Sequence, residues 1–136
     1  MTNKRIVIAE TIAESGLDRL RAAGFDVDIQ LDKTPAQLHE ALRGAHALIV
    51  RSATMVDAEM LKAGTDLVVV ARAGVGLDNI DVETATTQGV MVVNAPQSNV
   101  LSAAEHTMAL ILAIARNVPQ AHRSLMDGRW ERSKWE

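Results

Sequence analysis

The chain has no cysteine and no tyrosine, one phenylalanine and two tryptophans among its 136 residues. Without thiols there is no disulfide framework, no thiolate nucleophile and no cysteine zinc site, which fits a reducing compartment. Aromatic residues make up 2% of the chain but apolar residues 48%. The core must therefore be built from Val, Ile, Leu, Ala and Met, a composition that suits helices packed on a parallel sheet better than an aromatic-rich sandwich. Charge of one sign is also scarce. The net value is -3 with no basic block, so neither nucleic acid nor an anionic membrane is expected as a partner. Long apolar runs are missing too. Ile6–Ala9 is too short for a signal-peptide core, and Thr107–Ala115, closed by Arg116, is too short to span a bilayer. A cytoplasmic protein is expected.

What is present is an alternation of short β-rich runs with helical patterns. The expected strands are Ile6–Ala9, Phe25–Ile29, Ala47–Val50, Leu67–Ala71 and Val90–Val93. Between them, Thr11 and Glu14 stand in capping-box spacing ahead of a Leu17, Leu20, Ala23 stripe that ends at Gly24. Thr34-Pro35-Ala36-Gln37 repeats that signal, with proline in the first turn and Leu38, Ala41 and Leu42 as the buried stripe. Asp57–Lys62 reads as a short helix, and Asp81 caps another that stops at Gly89. Parallel strands joined by right-handed crossovers follow. Five of them match a flavodoxin-like α/β sheet of order 2-1-3-4-5 with flanking helices.

After Asn94 the rhythm breaks. Ser102 and Glu105 suggest the cap of an Ala-rich helix running to about Arg116, and Pro119 opens a second helix that Gly128 ends. The division expected is residues 1–98 as one domain, lacking some of its parts, and 99–136 as bridging helices that lead elsewhere.

In open parallel sheets, ligands sit beyond the carboxyl ends of the strands. Arg51 follows the third strand, Arg72 with Gly74, Val75 and Gly76 the fourth, and Asn94 the fifth. Neighbouring strands lie about 4.8 Å apart, so these residues are expected to converge on one edge. Two guanidiniums, an amide and backbone N–H groups freed by glycine would hold a small, doubly anionic molecule. Gly74-x-Gly76-x-x-Asn79 resembles a dinucleotide fingerprint but lacks its third glycine, and an arginine precedes it, so it is not read as a pyrophosphate cradle. Glu105 and His106 are adjacent and on a helix do not face each other. His39, His46, His106 and His122 show no ligand spacing, so no metal is expected. A receiver-like signalling module would need an aspartate where Arg51 stands, with Glu10 as its lone acidic candidate after the first strand.

Four stretches, Ile49–Thr54, Val70–Asp81, Val93–Asn99 with Ser102–His106, and Asp127–Trp130, resemble the D-isomer-specific 2-hydroxyacid dehydrogenases, a likeness that covers the whole chain. The resemblance implies a two-domain enzyme that transfers hydride between a hydroxy acid and NAD. Residues 1–98 would belong to its substrate-binding domain. The Rossmann domain, with the catalytic Arg, Glu and His, would lie outside this chain, and the chain alone is expected to be inactive. Arg51, Arg72, Gly74, Val75, Gly76 and Asn94 match substrate-side positions, and Val75 also matches one that approaches the nicotinamide. The pair of arginines favours a small phosphorylated hydroxy acid over glyoxylate or hydroxypyruvate. A non-enzymatic corepressor relative is the remaining alternative, and the full-length protein is expected to be a homo-oligomer.

Overall fold

The computed structural model describes residues 4–135. Five four-residue strands, β1 (Arg5–Ile8), β2 (Asp26–Ile29), β3 (Ala47–Val50), β4 (Val69–Arg72) and β5 (Met91–Asn94), form one parallel sheet in the order β2-β1-β3-β4-β5. This is the order expected from the sequence. Each crossover carries a helix: α1 (Glu14–Ala22), α2 (Pro35–Ala41), α3 (Ala58–Ala63) and α4 (Val82–Thr87).

Side chains alternate across the strands, and the alternation sorts the core into two layers. Val7, Leu48, Val50 and Val70 point to one face, where they pack with Leu38 from α2 and Leu42 at its carboxyl cap, Met60 and Leu61 from α3 and Ala85 from α4. Ile6 and Ile8 point to the other, against Leu17 of α1. Burying one such side chain contributes roughly 1.5–3 kcal/mol, and this determines the register of β1, β3 and β4.

Three helix starts follow local chemistry. The Thr34 hydroxyl accepts from the Gln37 N–H while the Gln37 side chain accepts from the Thr34 N–H, a reciprocal box with proline in the first turn. Asp57 accepts from the Met60 N–H and Asp81 from the Thr84 N–H, each at 2.9 Å. Hydrogen bonds from the Thr84 hydroxyl and N–H hold the Asp81 carboxyl below the usual carboxylate range.

Two expected caps are not formed. α1 starts with Ala13 as its cap and no side-chain bond. Glu14 accepts from Arg21, two turns along the same face, instead of reaching back to Thr11. Likewise α5 (Val100–Ala115) begins two residues before the expected Ser102–Glu105 pair. Ser102 lies inside its first turn and donates back to the Asn99 carbonyl. α1 starts at Glu14, two residues later than a Thr11 cap would place it, whereas at Ser102 the apolar run from Val100 carries α5 further toward the amino end, since a helix extends while its apolar face continues.

The chain divides into two compact units, Met1–Ser98 and Asn99–Glu136. The second holds α5, α6 (Val118–Met126) and a short 3-10 turn, Arg132–Trp135. Asn117 takes a left-handed conformation between its helices, and Gly128, at φ 74°, ends α6. The buried Ser124 hydroxyl donates to Glu131 at 2.8 Å, tying the segment after Gly128 back to α6. This bond, aided by Lys134, lowers the Glu131 pKa. No residue of α5 is buried. Among the described residues, no helix is long and apolar enough to cross a membrane.

Candidate functional site

The carboxyl ends of β3, β4 and β5 lie side by side, with Val50 opposite Arg72 and Arg72 opposite Asn94. Arg51 is one residue beyond that row, so its side chain leaves the opposite face of the sheet from Val50. The two arginines consequently do different things.

Arg72 turns back beneath the loop that follows it. Its Nε donates to the Arg51 carbonyl at 3.1 Å and its Nη1 to the Gly76 carbonyl at 2.7 Å. Its side chain is only 11% exposed, with Asp78 at 3.9 Å from Nη2. This position explains the glycines. A Cβ on Gly74 would stand 3.1 Å from Arg72 Nη1, and one on Gly76 would stand 3.3 Å from it and 2.6 Å from Asp78 Oδ1. Neither glycine adopts a positive φ, so their small size rather than their flexibility is what the turn requires. The space beneath the turn is filled by the guanidinium.

Asn94 holds the same loop from the next strand. Its Nδ2 donates to the Val75 carbonyl at 2.6 Å, and the Ala95 N–H donates to the Gly74 carbonyl at 2.9 Å. Arg72 and Asn94 thus fix the Gly74–Gly76 crest, while the N–H groups of Val75 and Gly76 make no hydrogen bond among the described residues. The Val75 side chain is partly exposed.

Arg51 remains available. The residue is exposed, and its guanidinium makes one long contact, from Nη1 to the Thr11 carbonyl at 3.4 Å. It lines a shallow cleft with Thr11, Ile12, Ala13 and Ala73. Arg72 and Asn94 border the adjoining cleft, which shares Ile12, Ala13 and Ala73 and adds Ser15 and Arg19 from α1. The two guanidiniums therefore flank one stretch of surface without meeting over the glycines. Arg19 was not singled out in the sequence, because a surface arginine on an amphipathic helix carries no distinguishing local pattern.

Two further residues of this edge, Glu10 and Asn79, have roles that the sequence pattern did not report. Glu10, directly after β1, accepts from the N–H groups of Arg51, Ala53 and Thr54 at 2.8, 3.1 and 2.9 Å. Partial burial alone would raise its pKa. The N–H groups of Thr54, Arg51 and Ala53, with the Thr54 hydroxyl, outweigh that and lower it. Asn79 is 2% exposed, and its Nδ2 donates to the carbonyls of Arg51 at 2.9 Å and Thr54 at 2.6 Å. Its Oδ1 is buried without a partner. This is the residue that stands where a dinucleotide fingerprint has its third glycine. No helix opens there: Ile80 pairs with Val56 in a single bridge, and α4 begins only at Val82. With Arg72 filling the turn, the segment does not fit a dinucleotide pyrophosphate.

The model of the D-isomer specific 2-hydroxyacid dehydrogenase catalytic domain matches residues 6–132. The chain belongs to this family. It is 44% identical over 131 residues to a D-3-phosphoglycerate dehydrogenase of Archaeoglobus fulgidus, a match that covers 96% of this chain and 25% of that protein. Against the D-3-phosphoglycerate dehydrogenase of Mycobacterium tuberculosis it is 49% identical over 132 residues, covering 96% of this chain and 24% of the relative. The chain thus spans about a quarter of the length of these relatives. Among solved structures, the TT0316 protein of Thermus thermophilus superposes with a TM-score of 0.84 at 33% identity, covering 93% of this chain and 42% of that one. The NAD+-bound 3-phosphoglycerate dehydrogenase of Entamoeba histolytica gives 0.73 at 29% identity, covering 82% and 39%.

Proposed function

We propose that this family member is the substrate side of an NAD-dependent D-3-phosphoglycerate dehydrogenase, which oxidises 3-phospho-D-glycerate to 3-phosphohydroxypyruvate on the way to serine. The observation that carries the reading is the exposed Arg51 guanidinium on the same edge as the open N–H groups of Val75 and Gly76. A planar guanidinium grips a phosphate or carboxylate with two parallel hydrogen bonds, and unpaired backbone N–H groups take a second anionic end.

In this reading residues 1–98 form the substrate-binding domain and 99–136 the bridging helices. Arg51 binds one negative group of the substrate. The N–H groups of Val75 and Gly76 take the other, on a crest that Gly74, Arg72 and Asn94 hold still. Arg72 adds positive charge beneath it. Val75 borders the nicotinamide. When bound, NAD accepts the hydride, and its pyrophosphate is held by other residues than these.

The test is NADH formation by the enzyme that contains this segment, with 3-phospho-D-glycerate and with D-glycerate. A clear preference in kcat/KM for the phosphorylated acid is expected, and Arg51→Ala should abolish that preference. Equal rates with both acids, or faster reduction of glyoxylate or hydroxypyruvate, would refute the assignment.

A further inference from the structure

In the order β2-β1-β3-β4-β5 the connections leave β1 and β3 toward opposite faces of the sheet, α1 on one and α3 on the other. Such a switch point opens a crevice between two loops that nothing in the sheet itself holds together. Here the crevice is bridged. The Glu10 carboxylate, at the end of β1, takes three N–H groups of the loop after β3, those of Arg51, Ala53 and Thr54. Hydrogen bonds to an ionised carboxylate are about twice as strong as neutral ones.

The same loop is held from the other side. Buried Asn79 donates to the carbonyls of Arg51 and Thr54, and the Val56 N–H donates to the Asn79 carbonyl at 2.8 Å. The residue after Glu10 lies nearby, its carbonyl 3.4 Å from the Arg51 guanidinium. Arg51 is therefore fixed at its N–H by Glu10 and at its carbonyl by Asn79 and Arg72, while its exposed guanidinium, with one long contact to the Thr11 carbonyl, stays open to a ligand. A loop tied at this many points is far more restrained than a surface turn in solvent.

We propose that Glu10, with Asn79 as its counterpart, is a positioning residue for substrate binding: it presets the Arg51–Thr54 loop so that the guanidinium meets the substrate's anionic group already oriented. Glu10 touches no substrate. It acts through Arg51, by sparing the ligand the cost of ordering that loop. This inference rests on Arg51 being a substrate ligand, as proposed above.

The experiment is steady-state kinetics on the enzyme containing this segment, with Glu10→Gln, Glu10→Asp, Arg51→Ala and the Glu10→Gln/Arg51→Ala double variant. Glutamine keeps the shape but sets an NH2 against an N–H donor. Aspartate keeps the charge with a shorter reach, and remains informative should the glutamine variant not fold. The expected result for Glu10→Gln is a KM for 3-phospho-D-glycerate raised about tenfold, with kcat and the KM for NAD within about twofold of the parent. Aspartate should fall between the two. In the Arg51→Ala background the same change should add less than about twofold, because its target is gone. An unchanged KM in both Glu10 variants, or an equal rise with Arg51 present or absent, would overturn the proposal. An Arg51→Ala enzyme with the parent's KM would instead remove Arg51 from the substrate site, and this proposal with it.

Discussion

Arg72 Nη1 donates to the Gly76 carbonyl at 2.7 Å, so the arginine that ends β4 also fastens the far end of the glycine turn that follows it. A second donation, from Nε to the Arg51 carbonyl at 3.1 Å, ties that turn to the loop after β3. One side chain thereby joins two loops on the edge where ligands bind in this architecture. Lysine has one donor point and cannot reproduce the fork. Arg72→Lys is expected to cost about 1–3 kcal/mol, read as a lower urea midpoint with an unchanged slope.

The glycines and Arg72 should be energetically coupled. A Cβ at Gly74 or Gly76 would press on the guanidinium at 3.1 or 3.3 Å. Gly74→Ala is therefore expected to destabilise the chain by about 1 kcal/mol, and by clearly less when Arg72 is already alanine. Urea unfolding of the two single variants and the double variant gives the coupling. Additive losses would mean that the turn needs glycine for some other reason.

Asn79 offers a test with a pH sign. Its buried Nδ2 faces two carbonyl oxygens. In Asn79→Asp a carboxylate would face those acceptors in a buried position, so its pKa in the folded state would rise above the unfolded value. A charge-induced loss of stability follows above that raised pKa and is partly recovered as the pH falls through it, because the protonated acid donates one hydrogen bond. Melting temperatures of the variant across mildly acidic to neutral pH should therefore rise toward acid relative to the parent.

Glu10 behaves in the opposite sense. Three backbone N–H groups stabilise its ionised form and lower its pKa. Its contribution is fully present above the unfolded-state carboxylate pKa and is lost as the pH falls through the lower folded value. The stability gap between the parent and Glu10→Gln should be constant near neutrality and narrow in acid, below the ordinary carboxylate range. Denaturant unfolding of both chains at a series of acidic pH values measures it.

Which parts of this molecule were legible in the sequence follows from the range of the interactions. The Thr34 box and the Asp57 and Asp81 caps lie within three residues of their partners, so local pattern suffices to find them. The sheet order followed from strand count and short crossovers. The Thr11–Glu14 and Ser102–Glu105 pairs misled because an allowed spacing is not an obligation. Glu14 had Arg21 as a better partner, and the apolar run of α5 carried its helix past Ser102. Glu10 was weighed only as an acidic residue after the first strand. Its partners are 41 to 44 residues away, and no local signal reports them. The glycine turn was found from its pattern, but that a guanidinium packs beneath it and also requires small residues there is visible only in the packing.

The most direct measurement is a crystal structure of the enzyme containing this segment with 3-phospho-D-glycerate bound. The account predicts an anionic group of the substrate within about 3 Å of an Arg51 guanidinium nitrogen, as such hydrogen bonds require, with a second acidic oxygen over the N–H groups of Val75 and Gly76. A substrate whose phosphate and carboxylate both lie away from Arg51 and from that crest would contradict it.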